Sequence, residues 1–224
     1  MRWVLVYLFL MLAFFGLAQD SLYKYPIDYK YREDQFYATI AHQVFVNRPS
    51  DIAQNSFSPE IRIGFLRDMP INQSRQLAIA PGLGLSYKNI NTSASFSKFN
   101  TKDNFGNVVY NKQSINQFLV EFPLELRFRA STPTTHEFFR SHLGIKAAYL
   151  FWHQSSFSGF DSFTVNNRAD FNSLLWDVYV SLGYNTLNAY ISYGLNPMLK
   201  NQENFDGTSI NFKRLSFGLM FYIL

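Results

Sequence analysis

The sequence predicts an all-β chain, an eight-stranded antiparallel up-and-down transmembrane β-barrel. Three observations carry this. Eight segments of about ten residues alternate apolar and polar side chains at period two. The middles of their apolar faces hold no Asp, Glu, Lys or Arg, which suits hydrocarbon, where a Lys or Arg at mid-depth costs about 2–4 kcal/mol. The connections alternate between long and short, as in bacterial outer-membrane barrels with long outer loops and short periplasmic turns.

Residues 1–18 read as a cleaved signal peptide. Arg2 is followed by an apolar run over 3–15 and by the small-residue site Gly16-Leu17-Ala18. Residues 19–34, "QDSLYKYPIDYKYRED", form a charged, Tyr-rich periplasmic segment. It is either a docking strap for a partner or a lead that packs under the barrel mouth. Residues 35–224 form the outer-membrane barrel, with both termini periplasmic.

The first strand is expected over 36–46 and the second over 57–67, where Phe57, Pro59, Ile61, Ile63 and Phe65 share one face. The third covers 77–87, with Ala78, Ala80, Gly82, Gly84 and Ser86 opposite an apolar face. The fourth, 117–129, contains "VEFPLELRFR": Val120, Phe122, Leu124, Leu126 and Phe128 against Glu121, Pro123, Glu125, Arg127 and Arg129. The fifth covers 139–151, the sixth 174–184, the seventh 189–195 and the eighth 212–224. Loops are expected over 88–116, 152–172 and 196–211. Pro59, Pro81 and Pro123 imply bulges or local breaks, because proline deletes a ladder bond.

The polar faces mix small residues with charges, which suits a barrel whose interior only just holds its side chains. Glu60, Glu121, Glu125 and Asp177 stand against Arg62, Arg127, Arg129, Lys146 and Arg214. An unpaired buried charge is costly, so these nine are expected to pair as an interior charge network that plugs the lumen; the alternative is a water-filled lumen, for which eight strands leave little room.

Several segments are also familiar: "YREDQFYATIAHQV", "GFLRDMPINQSR", "LAIAPGLGLSY", "EFPLELRFRASTPTTHEFFRSHLGIKAAY", "GYNTLNAYISYGLNP" and the terminal "GLMFYIL". "RDMPIN" and "STPTT" are the most specific. Together they resemble the PorT family of Bacteroidetes outer-membrane proteins. The resemblance implies a barrel tied to the type IX secretion system, which exports proteases and gliding adhesins, and it brings no catalytic residues. The partners implied are outer-membrane lipid and proteins of the secretion machinery. A structural or adhesive barrel of the porin-like group is the alternative.

Other chemistry finds little support. There is no Cys, and with only four His no metal cluster is visible. No cofactor or small-molecule substrate is expected. The net charge of +4 is spread without basic runs, which argues against nucleic acid. His153 and Ser155 share a lipid-facing parity, a pattern some lipid A deacylases use, yet no acid lies nearby on that face to orient the imidazole. His42 also has lipid-facing parity. "SSFSGFDSF" either exposes three Phe for a partner or folds back on the rim.

Overall fold

The computed structural model describes residues 34–46, 53–54, 56–92, 110–129, 139–159, 162–166, 171–200 and 213–223. The expected signal peptide and all but Asp34 of the segment 19–34 lie outside the described residues. The strands are β1 (Gln35–Val46), β2 (Pro59–Leu66), β3 (Met69–Pro70), β4 (Leu77–Thr92), β5 (Tyr110–Arg129), β6 (Phe139–Gly159), β7 (Ser162–Val165), β8 (Leu174–Tyr184), β9 (Leu187–Gly194) and β10 (Lys213–Ile223).

Eight of these close into a ring, β1–β2–β4–β5–β6–β8–β9–β10 and back to β1, antiparallel at every step. Closure matters in hydrocarbon, where no water can meet the bare N–H and C=O groups of an open edge. β3 continues the line of β2 along β4, and β7 folds back on the far end of β6. β8 and β9 are joined through Asn185 and Thr186, and Asn185 has φ 52°. A two-residue hairpin requires such left-handed backbone, which Asn tolerates better than most residues.

Two loop expectations are corrected. Residues 88–92 extend β4 and 110–116 belong to β5, so much of the expected loop over 88–116 is strand. Residues 152–159 likewise extend β6. At roughly 3.3 Å per residue and a tilt of about 40°, the 20 residues of β5 rise about 50 Å along the barrel axis. That is about twice the apolar band of a membrane barrel. One wall, β4–β5–β6, therefore stands well above the bilayer.

The outward face shows where the bilayer ends. On β5, Phe128, Leu124, Phe122 and Phe118 are exposed to the surroundings, and beyond Phe118 the same face continues as Asn116, Ser114 and Lys112. Tyr87, Phe151 and Trp152 gather around Phe118 with ring centroids 4.9, 6.3 and 5.4 Å away. This cluster is the upper aromatic girdle, and Phe36, Phe128, Phe139 and Tyr184 mark the opposite rim.

The prolines act as breaks. Pro59 opens β2. The β4–β5 ladder runs to Pro81↔Leu124 and resumes at Gly84↔Glu121, so pairing lapses beside Pro123 with no residue gained or lost. A true register shift falls higher, where Phe118 pairs Trp152 and Leu119 pairs Leu150, leaving Phe151 as an extra residue in β6.

Candidate functional site

The interior is the part of this barrel with unusual chemistry, and it is built in two layers. The lower and larger one is charged. Glu60 and Arg62 on β2, Glu121, Glu125 and Arg127 on β5, Lys146 on β6, Asp177 on β8 and Arg214 on β10 all point inward and are at most 2% exposed. Arg129 pairs with Arg140 in the ladder, and its side chain lies outside the described residues.

Lys146 is the hub. Its ammonium lies 3.2 Å from Glu60, 3.3 Å from Glu121 and 3.6 Å from Asp177, and it donates to the Tyr190 hydroxyl at 3.2 Å. Arg62 donates through Nε to Glu121 at 2.7 Å, and its guanidinium sits 5.1–5.3 Å from the ring centres of Tyr37, Tyr179 and Tyr190. Such cation–π contacts strengthen when water is excluded. Arg214 holds Asp177 at 2.8 Å. Toward the short-turn end, Arg127 pairs with Glu125 at 2.9 Å and Asp68 at 3.3 Å. The hydroxyls of Tyr179 and Tyr222 both donate to Glu125, at 2.8 and 2.9 Å.

The sequence reading missed several members. Lys88 joins Glu60 and Asp177 at 3.5 and 3.9 Å; the alternation Ser86, Lys88, Ile90 would have found it had the third strand been extended. Asp68 lies just past the expected end of the second strand, and Arg140 and His142 share the inward parity of Lys146. With these included, the described interior holds five acids and six Lys or Arg, all almost fully buried. Near-neutrality is what a low-dielectric lumen requires. Glycines make room for the large side chains: a Cβ at Gly144 would strike the Tyr179 ring, and one at Gly194 would meet Arg214 Nη2 at 2.8 Å.

The upper layer is built around an apolar cluster. Phe45, Ile90, Ile115, Leu119, Leu150 and Leu175 point inward above the charges, and Phe171, Met198 and Leu199 fold down from the loops to complete the cluster. Polar side chains pin these loops. Asn196 accepts from Trp176 N at 2.7 Å and donates to Leu174 O at 2.8 Å. Asn172 donates to Pro197 O at 2.8 Å, and Arg214 reaches Asn196 O at 2.8 Å. Polarity thus changes along the tall wall: charged inside and apolar outside within the bilayer, and above it polar outside, with apolar side chains mixed with uncharged polar ones such as Gln113 and Ser155 inside.

The lipid-facing parity of His153 and Ser155 is corrected. The extra residue at Phe151 turns both Phe151 and Trp152 outward and flips all that follows, so His153 and Ser155 point inward, 3% and 5% exposed. Ser155 Oγ lies 3.1 Å from His153 Nε2, and the imidazole packs on Phe171 at 4.0 Å. A bilayer acyl chain does not meet them there. The same flip buries Phe157, so it is not among exposed loop aromatics; Phe160 and the Phe163 side chain lie outside the described residues. His42 does face outward. It accepts from Ser58 N at 3.1 Å, stacks on Phe57 and meets the edge of Phe217.

Among the described residues, the lumen is thus occupied by side chains from the charged layer to the apolar cap. Among solved structures, Ail, the attachment invasion locus protein of Yersinia pestis, is similar at a TM-score of 0.37 and 12% identity, covering 85% of this chain and 97% of that one. No curated protein matches. The family model for the outer membrane protein beta-barrel domain matches residues 18–200. With the closed eight-stranded ring and its apolar belt, that match makes this chain a member of the outer membrane protein beta-barrel domain family and an integral protein of the outer membrane.

Proposed function

We propose that the chain is a sealed, non-enzymatic outer-membrane scaffold of the PorT type that acts as an accessory component of type IX protein secretion and gliding. The observation that carries this reading is the filled lumen. A barrel whose interior is occupied, among the described residues, by Arg62, Glu121, Lys146, Asp177 and an apolar cap leaves little room for a solute, so its work falls to its surfaces. The motifs "RDMPIN" and "STPTT" supply the link to secretion. In this reading the signal peptide 1–18 is removed, both termini are periplasmic, and residues 19–34 are available to periplasmic or membrane partners in the machinery.

Deletion of the gene, followed by assay of secreted protease and of gliding, tests it. Loss of both, restored by the wild-type gene, supports the role; normal secretion with an intact outer membrane overturns it. One observation favours a second reading, a structural or adhesive barrel. The β4–β5–β6 wall rises far beyond the bilayer and presents Asn89, Asn91, Ser114 and Asn116 outward, a surface that an external contact requires and a periplasmic task does not. Under that reading deletion leaves secretion intact and reduces cell attachment.

A further inference from the structure

The outward face of the β4–β5–β6 wall is ordered in rows that the charged interior does not explain. The register aligns Tyr87, Phe118 and Trp152 across the three strands, with neighbouring ring centroids 4.9 and 5.4 Å apart. The next row above is Asn89, Asn116 and Gln154, one amide over each ring. Above that come Asn91, Ser114 and Ser156. None of these side chains carries a charge. The amides are also held in place. Asn116 Oδ1 accepts from the Tyr87 hydroxyl at 2.7 Å and from Asn89 Nδ2 at 2.6 Å. Among the described residues both side-chain bonds of Asn116 fall on its oxygen, which leaves the Nδ2 donors to a ligand, beside the amide of Gln154.

Lower on the same wall lies an apolar groove of about 320 Å³, lined by Ile79, Leu124, Leu126, Leu143, Ile145 and Val178 of β4, β5, β6 and β8. On β5 larger rings bracket it, Phe122 above and Phe128 below. Leu124 is six residues from Phe118 along β5. At roughly 3.3 Å per residue and a tilt of about 40°, it lies about 15 Å deeper in the bilayer. That is half of the roughly 30 Å hydrocarbon core, so an acyl chain that starts at the ring row ends in the groove. Asn116 is two residues beyond Phe118 in the other direction, about 5 Å above the rings. Groove, rings and amides thus follow one path along the strands, from mid-bilayer to just outside the hydrocarbon.

We propose that this face binds a glycolipid with an uncharged sugar head, its acyl chain in the groove and its sugar on the ring and amide rows. A sugar hydroxyl both donates and accepts, and an amide side chain matches it with its NH2 and its C=O. The C–H face of a pyranose is apolar and lies flat on an aromatic ring, while its hydroxyls project from the edge toward the amides. A phosphorylated head calls for Lys or Arg, and none stands in the three rows; Lys112 is the next outward residue of β5 above them. A free sugar would use the rows and leave the groove unfilled, so the groove favours a sugar carried on a lipid. The site lies wholly on the outward face and stands whether or not the barrel serves secretion.

Two of the chain's three Trp, Trp152 and Trp176, stand exposed on this face, and a brominated acyl chain beside them quenches their fluorescence. The full chain is folded into phosphatidylcholine vesicles that also hold a dibrominated lipid: phosphatidylcholine, phosphatidylglycerol or monoglucosyl diacylglycerol with the same chains. One net hydrogen bond to the sugar is worth about two- to tenfold in affinity. The glucosyl lipid is therefore expected to bind at least about threefold tighter than either phospholipid. Asn116→Leu combined with Gln154→Leu is expected to remove that preference. Equal quenching by the three lipids means ordinary boundary lipid only and overturns the proposal, as does a preference for phosphatidylglycerol or one that survives the double variant. Methyl glucoside in excess is expected to leave the quenching in place; full displacement by it would assign the rows to a soluble sugar and overturn the lipid assignment. If the double variant does not fold, the wild-type comparison of the three lipids decides alone.

Discussion

Replacing Lys146 by Met removes one charge while nearly keeping the volume of the side chain. The ammonium lies 3.2–3.6 Å from carboxylates of Glu60, Glu121 and Asp177. At an effective dielectric of about 20, one contact at that distance is worth about 5 kcal/mol before desolvation. Desolvating the ammonium, and its repulsion from Arg62 and Lys88, offset most of the sum. What remains is the cost of leaving buried carboxylates short of a partner, about 3–5 kcal/mol, a large share of the 5–15 kcal/mol that holds a typical domain folded. Reversible urea unfolding in lipid vesicles, followed by the heat-modifiable mobility of the folded barrel on gels, measures it. Glu60→Gln in the same chain removes the surplus negative charge, so the double variant is expected to be more stable than the sum of the single losses by about 1–3 kcal/mol. A loss below about 1 kcal/mol for Lys146→Met, or strict additivity with Glu60→Gln, would refute the picture of one coupled network.

Three further outcomes are expected. Val178→Arg, on the outward face opposite Ile145 and Tyr193, loses about 2–4 kcal/mol of folding stability in lipid. Tyr184→Arg, at the rim, loses about 0–1 kcal/mol, because its charge reaches the interface; equal losses would remove the membrane assignment of this face. Gly144→Ala drives a methyl into the Tyr179 ring and costs about 1–3 kcal/mol by the same unfolding assay, whereas a neutral result would mean that Tyr179 does not pack there. His153→Ala and Ser155→Ala leave the lipid A mass spectrum unchanged, since both side chains face inward; an altered acylation pattern would contradict that placement.

The sequence by itself determined the barrel. Period-two alternation is a local property, and a charge-free outward face such as Phe118, Phe122, Leu124 and Phe128 is legible without any partner strand. So were the inward positions of Glu60, Arg62, Glu121, Glu125, Arg127, Lys146, Asp177 and Arg214, because parity alone sets them. Only the tertiary structure decided which charges meet. Arg62 and Glu121 are 59 residues apart in the chain, and Tyr222 reaches Glu125 across 97, contacts that exist because closure brings distant strands around one narrow lumen. The placement of His153 and Ser155 was also hidden, since a single extra residue at Phe151 reverses parity and shows itself only against its partner strand. The apolar cap was invisible for a related reason. Phe171, Met198 and Leu199 lie in irregular segments with no period to read, and they become a core only where the ring of strands supplies Ile90, Ile115 and Leu150 to bury them.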